Sequence, residues 1–327
     1  MTVRVDSVGH FKAITLENDR IKAILVPDLG GKMISLASCD HSLEFLLQPP
    51  EPDRGYRKAA YGNSFEEFDT SGFDECIPTV SECNYPKPNG AKAETITLPD
   101  HGEVWSISWE FDISGEKVDL KVHGTRLPYS FCKRISLEGA DLIVEYEMTN
   151  EGTSAFDYLW SAHPLLEVNA GDKILLPPEI DELFVNWSAG DRLGKFGDSC
   201  PWPKARTRDG FWDDLSVIKN KSHRTADKLY TGKLNSGFCG YYREQENMSL
   251  AFRFATGEVP YAGLWICQGG WPTSRAAKHY TVAVEPCSGR PDALDKAIER
   301  NSGQRIMPGE TKHWTLRMEI REGIANP

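Results

Sequence analysis

Alternating apolar and polar positions recur along most of the chain. The clearest runs are residues 118–122, 144–148, 250–254, 280–285 and 314–320. A period of two places successive side chains on opposite faces of a sheet, so each run predicts a half-buried antiparallel strand. Two regions rich in Gly, Pro, acidic and aromatic residues, 49–74 and 186–228, interrupt the alternation. Long loops of this kind on a rigid β scaffold often form binding surfaces.

Helical patterns are few in this sequence. The best covers residues 293–300, where Leu294, Ala297 and Ile298 recur at helical spacing after Pro291. Many strands at short spacing with so little helix predict an all-β fold, a large antiparallel sandwich with few short helices. The absence of a linker-like segment favours one domain spanning residues 1–327.

The composition of the chain argues against several classes of partner and cofactor. The chain carries 48 acidic and 37 basic side chains, a net charge of −11, and no basic stripe, which argues against a nucleic-acid partner. No apolar run is long enough to span a bilayer and the N-terminus lacks a signal-peptide core, so we expect a cytoplasmic protein. The eight cysteines form no CxxC motif and no His–Cys set at ligand spacing. We therefore expect reduced core cysteines, no metal site and, without a Gly-rich phosphate loop, no nucleotide cofactor.

One predicted strand carries a carboxylate to its end. Glu285 shares a face with Thr281 and Ala283, whose small side chains leave room beside it. Pro286 follows directly, and we expect it to end the strand pairing. A carboxylate at a strand end before a shaped loop is a candidate general base, although most such glutamates are solvated.

Two histidines and several tryptophans add candidate site groups. His101 lies in the segment LPDHGEVW, ahead of a predicted strand that holds Val104, Ile107 and Trp109. His163 follows an apolar strand in LWSAHPLLEV and precedes a proline that we expect to end the strand pairing. Histidine exchanges a proton near neutral pH, which suits general acid catalysis. Trp160 and Trp265 are candidate platforms for a sugar, because flat rings pack on the apolar faces of sugar rings.

Seven segments, in order, resemble the aldose 1-epimerase, or galactose mutarotase-like, superfamily. They are NDRIKAILVPDLGGKMISL (18–36), GFDECIPTV (72–80), PDHGEVW (99–105), SAHPLLEV (161–168), ADKLYTG (226–232), VAVEPCSGRPDAL (282–294) and PGETKHWTL (308–316). The resemblance covers nearly the whole chain. It implies a β-supersandwich fold and an isomerase that interconverts the α and β anomers of a sugar without a cofactor.

The resemblance also implies roles for individual residues. Glu285 matches the general base that takes the proton of the anomeric hydroxyl, and His163 matches the acid that protonates the ring oxygen. His101 resembles a second histidine that supports the ring oxygen or a neighbouring hydroxyl. Asp227 resembles an aspartate that holds sugar hydroxyls.

Two other functions stay open on the sequence. One is a non-catalytic sugar-binding or regulatory protein on the same fold, since fold alone does not fix function. The other is a glycoside hydrolase or lyase, which requires a second carboxylate beside the scissile bond. Asp227 and Asp74 are the candidates for that carboxylate.

The sequence leaves the substrate's charge open as well. The resemblance implies an arginine near the first histidine, and Arg126 and Arg134 are both available. A phosphosugar enzyme needs clustered cations at the site, for which Arg54, Arg57 and Lys58 form only a weak cluster. The acidic composition favours an unphosphorylated sugar.

Overall fold

Two large antiparallel sheets contain most of the strands in the computed structural model, which describes residues 2–49, 55–68, 70–87, 94–273 and 277–327. The strands are β1 (Thr2–Val8), β2 (Phe11–Glu17), β3 (Ile21–Val26), β4 (Lys32–Ser38), β5 (Leu43–Glu44), β6 (Phe73–Cys76), β7 (Cys83–Pro86), β8 (Thr95–Leu98), β9 (Glu110–Ser114), β10 (Lys117–His123), β11 (Tyr129–Glu138), β12 (Asp141–Asn150), β13 (Phe156–Tyr158), β14 (Ser161–Leu166), β15 (Lys173–Leu175), β16 (Glu182–Ser188), β17 (Ser199–Pro201), β18 (Lys204–Arg206), β19 (Trp212–Asp214), β20 (Thr225–Thr231), β21 (Phe238–Arg243), β22 (Met248–Phe254), β23 (Tyr261–Gln268), β24 (Tyr280–Cys287), β25 (Gln304–Ile306) and β26 (Thr311–Glu322). Among these residues the α-helix is α1 (Leu294–Glu299).

The larger sheet has twelve strands in the order β1-β2-β3-β4-β6-β14-β24-β23-β20-β16-β17, with β5 paired to β4. The second has eight, in the order β15-β21-β22-β26-β12-β11-β10-β9. Strands distant in sequence therefore meet at the centre of the larger sheet. No helix in the described ranges has the length and apolar character needed to cross a bilayer.

The core between the sheets is rich in aromatic rings. Phe131, Tyr146 and Trp314, on neighbouring strands of the eight-stranded sheet, stack with ring centroids 5.3–5.9 Å apart. A buried ion pair joins the two sheets, with Lys133 Nζ on β11 3.2 Å from Glu75 Oε1 on β6. Burying each ring contributes about 1.5–3 kcal/mol, which anchors the sheet beneath the site described below.

The sequence-based fold class is confirmed: the five alternating runs lie in β10, β12, β22, β24 and β26, and α1 falls within residues 293–300. Trp314, expected in the core, is buried. The cysteines of the described residues are free thiols, six of them buried.

Three local expectations were wrong. Strand β24 continues through Pro286 to Cys287, so Glu285 lies inside the strand. His163 likewise lies within β14, followed by Pro164. In an antiparallel sheet, the N–H and C=O groups of one residue point to the same neighbouring strand. Proline lacks the N–H group, so it removes one hydrogen bond and the strand continues past it. Residues 104–106 form a 3₁₀ turn, and the expected strand begins only at Glu110.

Candidate functional site

A cavity of about 430 Å³ opens over the centre of the twelve-stranded sheet. His163, Lys228 and Trp265, from β14, β20 and β23, line its floor. The two regions that interrupt the alternation contribute to its walls, through residues such as Phe65 and Trp187. The strands provide a rigid floor, and loops shape the opening, as sugar-sized sites generally require.

Strand register places the ionisable groups in one row. The pairs Ser161↔Cys287 and Leu165↔Ala283 bring His163 opposite Glu285. On the other side of β24, Glu285 pairs with Gly263 of β23, which in turn pairs with Tyr230 of β20. Paired residues of an antiparallel ladder point to the same face, so these side chains share the face that carries the cavity.

Gly263 allows Lys228 to reach Glu285. A Cβ at Gly263 would lie 3.1 Å from Glu285 Oε2 and 3.0 Å from Tyr230 Cε1, closer than normal packing permits. Because Gly263 has no side chain, the Lys228 ammonium crosses β23 and donates to Glu285 Oε2. Ser161 Oγ donates to the same oxygen at 3.3 Å.

Glu285 is completely buried and does not line the cavity. Its Oε1 atom has no hydrogen-bond partner among the described residues and lies 4.0 Å from His163 Nε2. His163 Nδ1 is also without a partner in the part of the chain described. Glu285 therefore lies beneath the floor, and His163 and Lys228 stand between it and the cavity.

Burial governs the protonation states in this row. Burial raises the pKa of Glu285 above its usual 4.5, against the opposing effect of the Lys228 ammonium. The pKa of Lys228, which burial alone would lower, is raised by Glu285 and Asp292. Burial, reinforced by the nearby charges of His101, Lys228 and Lys32, brings the pKa of His163 well below 6.5. The imidazole is therefore neutral at neutral pH, between two cationic lysines.

A second ion pair continues the row on the other side of His163. His163 pairs in register with Asp74 of β6, and Lys32 Nζ of β4 lies 2.9 Å from Asp74 Oδ2. Both side chains are almost fully buried. Along the row the charges therefore run positive, negative, neutral, negative and positive, from Lys32 and Asp74 through His163 to Glu285 and Lys228.

His101 lies beside His163 at the cavity wall. The two rings meet edge to face with centroids 4.9 Å apart, and Phe65 stacks on His101 at 4.0 Å. The backbone of His101 has φ +58°, a conformation uncommon for residues other than glycine and often found at functional sites. Its Nδ1 lies 2.9 Å from Asp100 Oδ1. Burial alone would raise the pKa of Asp100, but His101 lowers it, so the carboxylate holds the imidazole in place.

Tryptophan rings form one wall of the cavity. Trp265 lies 5.9 Å from Trp187 and 5.7 Å from Trp271, between ring centroids. All three line the cavity, and Trp265 is the cross-strand neighbour of Lys228. An apolar ring surface beside charged donors is the combination that binds a sugar.

Of the residues expected from the sequence, His163, His101 and Trp265 line the cavity, and Glu285 lies directly beneath it. Asp227 does not line it, because alternation along β20 points Asp227 and Lys228 to opposite faces. The Asp227 carboxylate instead accepts hydrogen bonds from Ser188 Oγ and from Arg192 Nε, the latter at 3.0–3.1 Å. This placement corrects the expected role of Asp227 in holding sugar hydroxyls.

Trp160 is likewise not a sugar platform in this arrangement. It is completely buried between the sheets, with its ring 4.9 Å from Tyr146 and 5.1 Å from Trp314. Its indole N–H donates to Glu75 Oε2 at 2.9 Å. Trp160 therefore belongs to the core that supports the floor.

Two site residues were not identified from the sequence. Lys228 follows Asp227 in the ADKLY segment, and only the strand register shows which of the two faces the cavity. Asp292, in the loop after β24, lines the cavity 3.7 Å from Lys228 Nζ. Tyr230 and Asn186 donate hydrogen bonds to its carboxylate.

Neither candidate arginine lines the cavity. Arg134 pairs with Asp119 on the eight-stranded sheet, and Arg126 packs over Tyr61, 5.9 Å from the ring centroid. Of the weak basic cluster, Arg54 lies outside the described residues, and Arg57 and Lys58 do not line the cavity either.

Asp74, a candidate second carboxylate for hydrolysis, is buried in its pair with Lys32 and does not line the cavity. Asp74 and Asp227, the two carboxylates considered for a glycoside hydrolase, therefore both lie outside the lining of the cavity.

Solved structures with the same fold were found by comparison. A galactose mutarotase-like protein from Clostridium acetobutylicum superimposes with a TM-score of 0.68 at 14% identity, covering 98% of each chain. A galactose mutarotase-like protein from Lactobacillus casei gives 0.63 at 16% identity, covering 94% of this chain and 100% of the other. A proposed aldose 1-epimerase from Escherichia coli K12 gives 0.67 at 13% identity, covering 98% and 100%.

At these identities the comparison establishes the fold, and the activity has to be argued from the site. No protein-family model matches the sequence, and no curated protein matches it either. The architecture agrees with the resemblance seen in the order of the sequence motifs. The chain has the galactose mutarotase-like fold.

Proposed function

We propose that this protein is an aldose 1-epimerase-type isomerase, a mutarotase that interconverts the α and β anomers of a sugar. The observation that carries the proposal is that His163 and Lys228 both line the floor of a tryptophan-walled cavity and both approach the buried Glu285, Lys228 through a hydrogen bond and His163 at 4.0 Å. Anomer exchange needs one group that accepts a proton and one that donates it, both facing the same sugar ring.

In the reaction, the anomeric hydroxyl loses its proton while the ring oxygen gains one, and the C1–O5 bond breaks. Rotation about C1–C2 and reclosure from the other face then return both protons and give the other anomer. The protein ends in its starting state, so the cycle consumes no co-reactant. Paired proton transfers of this kind typically contribute about 10²–10⁴-fold each.

Glu285 is the proton acceptor in this proposal, reached through His163. A shift of about 1 Å would bring His163 Nε2 into hydrogen-bond distance of Glu285 Oε1. Nε2 of the neutral imidazole takes the proton of the anomeric hydroxyl and then passes that same proton to Glu285 Oε1, because Nδ1 is buried away from the cavity. The raised pKa of Glu285 and the lowered pKa of His163 both favour the carboxylate as the final acceptor.

Lys228 is the proton donor, a role that the sequence resemblance gave to His163. Its ammonium lines the cavity, whereas the pKa of His163 is too low for a charged imidazole in the free protein. Protonation of Glu285 removes the negative charge that raises the pKa of Lys228, so the lysine becomes more acidic as the ring oxygen needs its proton. His101 and Asp292 supply further hydrogen bonds to the sugar.

The substrate in this proposal is an unphosphorylated aldose. Among the described residues that line the cavity there is no arginine, and the lysine present already contacts Glu285. Glu66, Asp100 and Asp292 also line it. A phosphate group would meet acidic side chains here, whereas sugar hydroxyls would find acceptors.

The test is anomer exchange of freshly dissolved aldoses, followed by polarimetry and by NMR exchange spectroscopy. Wild-type protein should accelerate exchange of at least one aldose, and Glu285→Gln should remove most of that acceleration. Glu75→Gln is the matched control, because Glu75 is as buried as Glu285 and also pairs with a buried lysine, away from the cavity. No acceleration by the wild type with any aldose would refute the proposal.

A non-catalytic sugar-binding protein is the second candidate. Two observations favour this candidate: Glu285 is completely buried, and its Oε2 atom already accepts a hydrogen bond from Lys228. It predicts sugar binding by wild type and Glu285→Gln alike, without anomer exchange, so titration calorimetry beside the exchange measurements separates the two candidates.

A further inference from the structure

A second cavity, of about 410 Å³, lies on the other side of the Arg290–Asp292 segment. Arg290 and Pro291 line it, whereas Asp292 lines the main cavity, and the two cavities share no lining residue. Lys233 and Arg300 complete a set of three cationic side chains around it. We call this space the basic cavity.

These three cations form no ion pair within the described ranges. Other partly or fully buried cations of the chain do, as in the pairs Arg192–Asp213 and Lys228–Glu285. The chain has eleven more acidic than basic side chains, so acidic partners are plentiful elsewhere. Lys233 and Arg300 are exposed and Arg290 is half-buried, so their N–H donors are open to an anion that enters the cavity from solvent.

Aromatic rings hold the two guanidinium groups in place. The guanidinium carbon of Arg290 lies 5.0 Å from the ring centroid of Phe184 and 5.5 Å from that of Tyr261. That of Arg300 lies 5.3 Å from Phe184 and 5.1 Å from Phe196. Arg290 also hydrogen-bonds the Tyr261 hydroxyl. A guanidinium packed over a ring can direct its remaining N–H groups to an oxyanion in two-pronged hydrogen bonds.

The half-buried charge of Arg290 is one that a bound anion would stabilise. Burial, together with the charge of Arg300, lowers the pKa of Arg290, and an anion would offset that cost. Four carboxylates, those of Glu179, Asp181, Glu182 and Asp198, line an adjoining depression that Arg290 and Lys233 also border. None of them lines the basic cavity.

We propose that the basic cavity is a binding site for a small tetrahedral oxyanion of the phosphate class, held by Arg290, Arg300 and Lys233. Two guanidinium forks and one ammonium match a dianion better than a single carboxylate. The site is separate from the sugar cavity, and the inference does not depend on the proposed mutarotase activity.

Inorganic phosphate is the probe, and binding is measured by isothermal titration calorimetry and phosphorus NMR line broadening. Wild-type protein should bind phosphate, with sulfate as a competitor, acetate much weaker, and affinity falling as salt is raised. Arg300→Gln and Lys233→Gln should each weaken binding about tenfold or more. Both side chains are exposed, so neither change should unfold the protein. Arg208→Gln, at an exposed arginine away from the cavity, is the matched control.

Glucose 6-phosphate distinguishes the source of the anion. Tighter binding than inorganic phosphate, lost in Arg300→Gln, indicates a phosphorylated metabolite, and equal binding indicates free phosphate. Absence of phosphate binding to the wild type, or equal binding by wild type and both variants, overturns the proposal. Acetate binding as strong as phosphate binding would also overturn it, because the site would then not select a tetrahedral oxyanion.

Discussion

Lys228 on β20 donates a hydrogen bond to Glu285 on β24, although β23 lies between the two strands. The contact crosses Gly263, where the absence of a side chain leaves the necessary space. Both side chains are buried: 7% of the Lys228 side chain and 0% of the Glu285 side chain are exposed. It ties together the two strands that carry the centre of the proposed site, and it has consequences for stability, pH dependence and rate.

Removing the lysine should destabilise the protein. Lys228→Met leaves the Glu285 charge buried without its partner, and we expect the free energy of unfolding to fall by about 3–5 kcal/mol. Urea denaturation measures this. The double variant Lys228→Met/Glu285→Gln should recover most of the loss, because neither charge then remains. A loss below about 1 kcal/mol for Lys228→Met alone would mean that the pair contributes little.

The pH dependence of kcat/KM for anomer exchange identifies the proton donor. Activity should rise with pH as Glu285 loses its proton, with a midpoint above 4.5 because the folded pKa is raised. If Lys228 is the donor, activity should then stay level through pH 8, since the pKa of Lys228 is raised. A decline on the alkaline side centred below 6.5 would instead show that a charged His163 is the donor.

Adding one methyl group at Gly263 should disturb the Lys228–Glu285 contact. In Gly263→Ala the new Cβ would lie 3.1 Å from Glu285 and 3.0 Å from Tyr230, and these neighbours would have to move by a few tenths of an ångström. A full 1 Å misplacement costs about 10²-fold in rate, so we expect kcat, measured by NMR exchange, to fall by less than this. Gly232→Ala is the control, because a Cβ there meets nothing within 4 Å. Equal rates in both variants would show that the spacing at Gly263 is not critical.

The two aspartates near β20 should behave differently. Asp292→Asn should weaken sugar binding about tenfold, since Asp292 lines the cavity and contacts Lys228. Asp227→Asn should leave sugar affinity unchanged and lower the free energy of unfolding by about 1.5–3 kcal/mol through its bonds to Arg192. Titration calorimetry and urea denaturation separate the effects. Weaker sugar binding by Asp227→Asn alone would restore the role that the sequence assigned to it.

Periodicity was sufficient to predict the fold class, because alternation is set locally by which side chains face the core. The runs that became β10, β12 and β26 and the short helix α1 needed no tertiary information. The resemblance in the order of the motifs also indicated His101 and His163 as site residues, and both line the cavity. The pH profile above decides whether His163 is the proton donor.

The errors arose where the outcome depends on partners far away in the chain. Whether Asp227 or Lys228 faces the cavity depends on the register between β20 and β23. Trp160 is enclosed by Tyr146 and Trp314, which belong to the opposite sheet. Gly263 carries no local sign of its importance, since only the structure shows Glu285 and Tyr230 on either side of it.

The row of ionisable groups draws on five strands whose residues run from Lys32 to Glu285 in the sequence. Adjacent members such as Asp74 and His163 meet only when segments almost ninety positions apart have paired. Closing such long loops is the slow part of β-sheet folding, because chain entropy is spent before the contacts form. Recovery of anomer exchange during refolding would therefore mark the last stage of assembly, and no single segment of the chain holds enough of the row to act alone.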